Sequence, residues 1–167
     1  MDIAKNQSSE RCDMMEIDQI ENILRYHNQN GFRNDLKMMY GRITDMKGSQ
    51  CELSAINYNV AVPANRNNVS TVEVYVVRNA TITETEMETK ELDRFINKLD
   101  RAIDGLIPNE KSIIMSRYFT KDGSTKEFKN VALECNYSED WCKELNKRAL
   151  EHIDAFLSGY KIEWQTL

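Results

Sequence analysis

Residues 131–150 read VALECNYSEDWCKELNKRAL, and they predict a short helix, a tight turn and a longer helix. Asn136 lies where the turn needs a positive φ, which Asn tolerates better than most non-glycine residues. Ser138 is a good N-cap, and Glu139 and Asp140 then suit the first turn because the helix dipole favours negative charge there. A helix-turn-helix commonly places its second helix in the DNA major groove, although any corner between two helices shares this pattern. The second helix has apolar residues at helical spacing, namely Cys142, Leu145, Ala149, Ile153 and Phe156.

The motif is preceded by one short helix, predicted from residue 109 to 119. Gly105 followed by Pro108 fits the preference for Gly after one helix and Pro at the start of the next. The two helices of the motif are expected at residues 126–134 and at 138 to about 157.

A single long helix is predicted upstream, from about residue 71 to 104. Residues 72–77 (VEVYVV) have high strand propensity, so helix and strand compete locally. Two observations favour the helix: apolar residues recur at three- and four-residue steps across 81–104, and neither Pro nor Gly occurs between Ser70 and Gly105. A Ser-x-x-Glu capping box also begins at Ser70. A helix of this length usually bridges two bundles or packs against another subunit.

Two amphipathic helices are predicted near the N-terminus, at residues 15–29 and 33–47, with Gly48 ending the second. The Asn-rich stretch 51–68 has no sustained period and is predicted to be a linker or long loop, with a short helical turn near 52–57.

The fold class predicted from these patterns is all-α, with an N-terminal helical region and linker (1–69) and a long helix followed by the helix-turn-helix domain (70–167). Only two Pro and six Gly occur in 167 residues, which favours long helices. The net charge of −5 argues against a strongly basic nucleic-acid binder, but the part from Gly105 onward carries nine Lys/Arg against ten Asp/Glu. Non-specific DNA affinity is therefore expected to be modest.

The sequence gives little indication of catalysis, a cofactor or a membrane segment. The four cysteines lie far apart without a C-x-x-C pair, so we expect free thiols and no metal site. The two histidines, His27 and His152, show no spacing that reveals a nucleophile and a base. No apolar run is long enough to cross a membrane and no signal peptide is visible, so a cytoplasmic protein that is not an enzyme is expected.

Residues 106–119 (LIPNEKSIIMSRYF) resemble the opening of the C-terminal DNA-binding region of sigma factors, and Val131-Ala132 with residues 138–150 resemble its helix-turn-helix. The order of these segments behind the long helix, over residues 70–157, is similar to the ArpU/RinA type of phage and prophage late-transcription regulators. The resemblance implies a sequence-specific activator of late phage genes that acts with the host RNA polymerase. This chain departs from the pattern in its acidic start of the second helix and at two positions, Trp141 and Asn146.

The residues expected to contact DNA fall into two sets. Surface charge is ordinary on a solvated helix, so each assignment competes with that simpler explanation. Trp141 is instead expected to be buried in a core or interface, as large aromatic residues usually are. The recognition-helix set, which would reach base edges, comprises Glu139, Asp140, Lys143, Glu144 and Lys147. The phosphate set comprises Arg117, Lys126, Lys129, Ser138 and Arg148.

Two other functions compete with the regulator. An adaptor that binds RNA polymerase without reading DNA would suit the acidic composition, and a small DNA-packaging (terminase) subunit would recognise a site on a phage genome. The expected partners of the leading hypothesis are double-stranded DNA, host RNA polymerase and a second copy of the chain, since helix-turn-helix proteins often bind two half-sites as dimers.

Overall fold

The structure, a computed structural model, describes residues 17–56 and 71–158, which form six α-helices and no strand. The predicted all-α fold class is confirmed for these residues. Within residues 17–56 and 71–158, no helix combines the length and the apolar character needed to cross a membrane. The helices are α1 (Ile17–Asn28), α2 (Gly31–Ile56), α3 (Thr71–Asp104), α4 (Pro108–Tyr118), α5 (Phe128–Cys135) and α6 (Glu139–Leu157).

The helices belong to two compact units. One unit consists of the described residues within Met1–Gln29 and Asn97–Leu167, and the other of those within Asn30–Ile96, so the division falls inside α3. The domain boundary predicted between residues 69 and 70 lies outside the described residues, as do the capping box at Ser70 and most of the predicted linker.

The unit within Asn30–Ile96 consists of two antiparallel helices. Phe32 at the start of α2 packs edge-to-face on Phe95, with ring centroids 5.5 Å apart. Further along α2, the Lys47 Nζ lies 2.5 Å from the Glu86 carboxylate. Because Lys47 follows Phe32 whereas Glu86 precedes Phe95, the two helices run in opposite directions. The buried apolar residues of this unit are Phe32, Ile43, Ile82, Phe95 and Ile96.

The prediction that α2 ends at Gly48 is wrong, because the helix continues to Ile56. A single glycine in a helix costs only about 1 kcal/mol relative to alanine, which the neighbouring turns can offset. Ser49 supports the helix beyond Gly48, since its hydroxyl donates to the Asp45 carbonyl at 2.9 Å. The start was also misplaced: Asn30, with φ of 57°, provides the left-handed residue, and α2 begins at Gly31.

The competition between helix and strand at residues 72–77 is resolved as helix. These residues belong to α3, whose bounds Thr71–Asp104 agree with the predicted helix. Strand propensity depends on cross-strand partners, whereas a helix propagates from an existing turn at low cost. The longer periodic pattern at 81–104 therefore determined the structure of the shorter segment.

The other unit contains the helix-turn-helix and its support. In it α4, α5 and α6 pack on one another, and α1 packs on both α4 and α6. Its buried core draws on all of these helices and on the end of α3. The principal core residues are Ile20, Leu24, Leu99, Ile103, Ile113, Ile114, Val131, Leu145, Leu150, Ile153 and Leu157.

The turn at residues 121–124 is held against the end of α1. The Asn28 side chain donates to the Thr120 carbonyl at 3.0 Å, and the Gln29 amide donates to the Gly123 carbonyl at 3.4 Å. Gly123 has a φ of 71°, and a Cβ atom there would lie 3.1 Å from the Gln29 side chain. Both the conformation and the close approach therefore favour glycine.

Candidate nucleic-acid interface

The turn between α5 and α6 has the geometry that its sequence predicts. Asn136 adopts the left-handed conformation, with φ of 58° and ψ of 42°. The Tyr137 amide then donates to the Ala132 carbonyl at 3.1 Å, which satisfies a carbonyl left open at the end of α5. The chain thus reverses within a few residues and starts α6 in a defined direction.

Ser138 caps α6 as predicted. Its backbone is extended, and its hydroxyl accepts a hydrogen bond from the Trp141 amide at 3.3 Å. The first turn carries Glu139 and Asp140, whose charges are favoured beside the positive end of the helix dipole. The start of α6 is therefore specified by its own sequence.

A small apolar cluster fixes the angle between the three helices of this region. Ile113 of α4, Val131 of α5, and Cys142 and Leu145 of α6 pack together, each at most 1% exposed. Cys135 is only half-buried, whereas Cys142 is buried as expected, and both thiols are free. Burial raises the pKa of the Cys142 thiol, so the thiol stays neutral. Cys142 therefore acts as a small hydrophobic residue in this core.

The recognition-helix residues lie together on exposed turns of α6. Their charges are largely paired within the helix: Lys143 Nζ lies 2.8 Å from Glu139 and 3.7 Å from Asp140. Hydrogen bonding to Glu139 raises the pKa of Lys143, so this lysine is held in its charged form. Lys147 is less constrained, with its Nζ 4.0 Å from Glu151.

The residues of the phosphate set lie on several elements. Lys129 is exposed on α5, and Lys126 is paired with Glu134 at 2.6 Å. Hydrogen bonds from Lys126 and then from Ser116 lower the pKa of Glu134, so this carboxylate ties the segment before α5 to α4. Ser138, already engaged as the N-cap, lies at the turn.

Arg117 links the end of α4 to the start of α5. Its guanidinium carbon lies 3.9 Å from the centroid of the Phe128 ring, and its Nη1 donates to the Lys126 carbonyl at 2.6 Å. Its Nε donates to the Tyr118 hydroxyl at 3.2 Å. The guanidinium is thus engaged on three sides, and sequence spacing did not indicate this arrangement.

Glu110 is an unexpected buried carboxylate beside α6. It is fully buried, and it lies 2.8 Å from His152 Nδ1 and 3.9 Å from Arg148 Nε. From the sequence alone, Glu110 is indistinguishable from the exposed acidic residues that are common in the first turn of a helix. Its partners come from a helix about forty residues away, so no local signal could have identified the cluster. Arg148 of the phosphate set therefore lies beside a buried carboxylate.

Trp141 is not buried in the core, because it is 42% exposed, and its burial in an interface stays a prediction. Trp141 is the third residue of α6, and the next residue, Cys142, faces the core. Successive residues of an α-helix point about 100° apart, so the indole lies beside the buried face and not on it. Asn146, in contrast, is buried beside Leu145. Its Oδ1 is buried without a hydrogen-bond partner among the described residues.

Tyr118 joins α4 to α1 through its hydroxyl. The ring is fully buried, and the hydroxyl donates to Glu21 of α1 at 2.7 Å while accepting from Arg117 of α4. Burial and then the hydrogen bond to Glu21 raise the pKa of Tyr118 to about 12. The neutral hydroxyl therefore helps to hold α1 against α4.

We expect Tyr118→Phe to lower the free energy of unfolding by about 1–2 kcal/mol at neutral pH, because the hydrogen bond to a carboxylate is lost. The pKa is raised on folding, so the stabilisation by the hydroxyl is complete below the ordinary tyrosine value of 10.0 and is lost as pH rises towards 12. Urea unfolding at a series of alkaline pH values measures both effects. Tyr40→Phe, at an exposed tyrosine, is the matched control and should change neither. A stability difference between Tyr118→Phe and wild type that persists unchanged at the highest pH would contradict the assignment.

The geometry of this region is that of a helix-turn-helix whose second helix exposes one polar face. Comparison of the chain with protein-family models, with curated proteins and with solved structures found no match.

Proposed function

We propose that this chain is a sequence-specific DNA-binding transcriptional regulator. The observation that carries the proposal is the start of α6: a left-handed Asn136, an N-cap at Ser138 and then an exposed turn, all held on α4 and α5 by a common apolar cluster. A helix presented in this way can enter the major groove with the side chains of its first turns directed at base edges.

The more specific proposal is activation of phage or prophage late genes together with the host RNA polymerase. It is supported by the resemblance of residues 106–119 and 138–150 to the DNA-binding region of sigma factors, which act while bound to polymerase. In cells, sequencing the DNA recovered with the tagged protein tests it. One sharp peak upstream of a late operon is the expected result.

In vitro, the test is the simultaneous replacement of Lys143 and Lys147 by alanine. We expect a loss of specific affinity of roughly tenfold or more, because lysines that donate to base edges discriminate between sites by about 1–3 kcal/mol per base. The measurement is fluorescence anisotropy of a selected duplex over a range of salt concentrations, with helical content followed by circular dichroism.

The matched control is Lys37→Ala with Lys90→Ala, which removes the same charge from exposed positions in the other unit. It should leave the ratio of specific to non-specific affinity unchanged. Equal losses in the two double variants would show that only overall charge matters and would remove the recognition-helix assignment.

A second candidate is a polymerase-binding adaptor that does not read DNA. The pairing of Lys143 with Glu139 and Asp140 favours it, because the beginning of α6 then offers little net positive charge. An adaptor predicts no salt-dependent binding to any duplex, since it releases no counterions, and co-purification with polymerase subunits.

A further inference from the structure

The exposed indole of Trp141 is the unusual feature of the proposed recognition helix. Large aromatic residues are normally well buried, yet this one is 42% exposed while the next residue, Cys142, is completely buried. A large part of the Trp141 side chain therefore lies outside the core. Its apolar surface is available for contact with another molecule.

The position of Trp141 is well defined by the cap. Its own backbone amide donates to the Ser138 hydroxyl at 3.3 Å, so it belongs to the first hydrogen-bonded turn of α6. In a helix-turn-helix, this turn is the part of the recognition helix that approaches base edges. The indole is thus carried on a rigid element at the proposed site.

The charged residues around Trp141 are poorly suited to attract DNA by themselves. Glu139 and Asp140 are carboxylates that phosphates repel, and they occupy Lys143 at 2.8 and 3.7 Å. A lysine that is already paired with carboxylates contributes less binding free energy to a base or phosphate contact, because its existing ion pairs must first be broken. An apolar contact has no such cost.

We propose that Trp141 is a specificity-determining residue that packs against the 5-methyl group of a thymine in the major groove. The inference rests on the proposed DNA-binding function. Thymine carries the methyl group that distinguishes it in the major groove, and apolar side chains are the groups that contact it. The ligand is accordingly duplex DNA with a thymine opposite the first turn of α6.

The experiment begins with selection of binding sites from a random duplex library by the full-length protein. Each selected thymine is then replaced by uracil, which removes only the methyl group. We expect uracil at one position to weaken binding of the wild type by roughly fivefold, within the range of a single unfavourable base pair. Trp141→Ala should weaken binding to the thymine site similarly and should bind the thymine and uracil sites equally.

Two further variants separate a direct contact from a general disturbance of the helix. Trp141→Phe keeps an apolar ring and should retain part of the preference for thymine. Phe156→Ala removes another exposed aromatic of α6, about five turns from the cap, and should keep the full preference. Circular dichroism verifies that helical content is unchanged in each variant.

The outcomes distinguish this inference from the function on which it rests. If the wild type selects a site but binds thymine and uracil equally, or if Trp141→Ala keeps the preference, the contact is refuted and DNA binding stands. If no site is selected and no salt-dependent binding is seen, both are refuted. Trp141 would then be a surface for a protein partner.

Discussion

Replacing Phe95 by alanine is expected to lower the free energy of unfolding by about 3–5 kcal/mol, the range for truncating a buried phenylalanine. Phe95 is 1% exposed, and its ring packs edge-to-face on Phe32 in the two-helix unit. The loss combines the transfer of the ring from water, the cavity left behind and the aromatic pair. Two helices have few other neighbours with which to fill such a cavity.

Urea unfolding followed by circular dichroism measures this effect as a lower midpoint. The matched control is Phe156→Ala, the same chemical change at a position that is 46% exposed, for which we expect about 1 kcal/mol or less. Similar losses for the two variants would show that Phe95 does not have the packing described above.

Ile113→Ala is expected to lower the free energy of unfolding by about 3 kcal/mol, within the range for truncating buried isoleucine. Ile113 is fully buried in the cluster that joins α4, α5 and α6. Its partners Val131 and Leu145 lie on the two helices of the motif, so the cavity would open where the angle between these helices is determined. We therefore also expect weaker DNA binding than the loss of stability alone explains.

Ile107→Ala is the matched control, since Ile107 precedes α4 and is 48% exposed. It should cost less than about 1 kcal/mol. DNA affinity measured well below each variant's unfolding midpoint separates the two consequences of Ile113→Ala. Unchanged affinity in the folded Ile113→Ala protein would contradict a role of the cluster in positioning α6.

Local sequence was sufficient for the motif and for the long helix. Asn136 and Ser138 specify the turn and the cap through their own conformational preferences and hydrogen bonds, which need no distant partner. The periodic apolar residues of α3 likewise predicted its bounds, even across a segment rich in β-branched residues. The helix boundary at Gly48 was mispredicted because a glycine only weakens a helix and does not end it by itself.

Burial along α6 was predicted only in part. Cys142, Leu145 and Ile153 face the core as expected, but Phe156 is half exposed and Leu157 is buried in its place. Because an α-helix has 3.6 residues per turn, the core-facing position drifts over several turns relative to a fixed pattern of three- and four-residue steps. By the last turn of α6 this drift amounts to one residue.

Tertiary structure alone decided which polar groups meet. Arg117 is stacked on Phe128, Glu110 is buried beside Arg148 and His152, and the Tyr118 hydroxyl joins α1 to α4. Hydrogen bonds and charges act over a few ångströms between residues that are far apart in the chain, and sequence spacing carries no information about such contacts. The chain's own periodicity and capping residues thus determined its helices and its turn, whereas the side chains free to contact a partner were decided by how those helices pack.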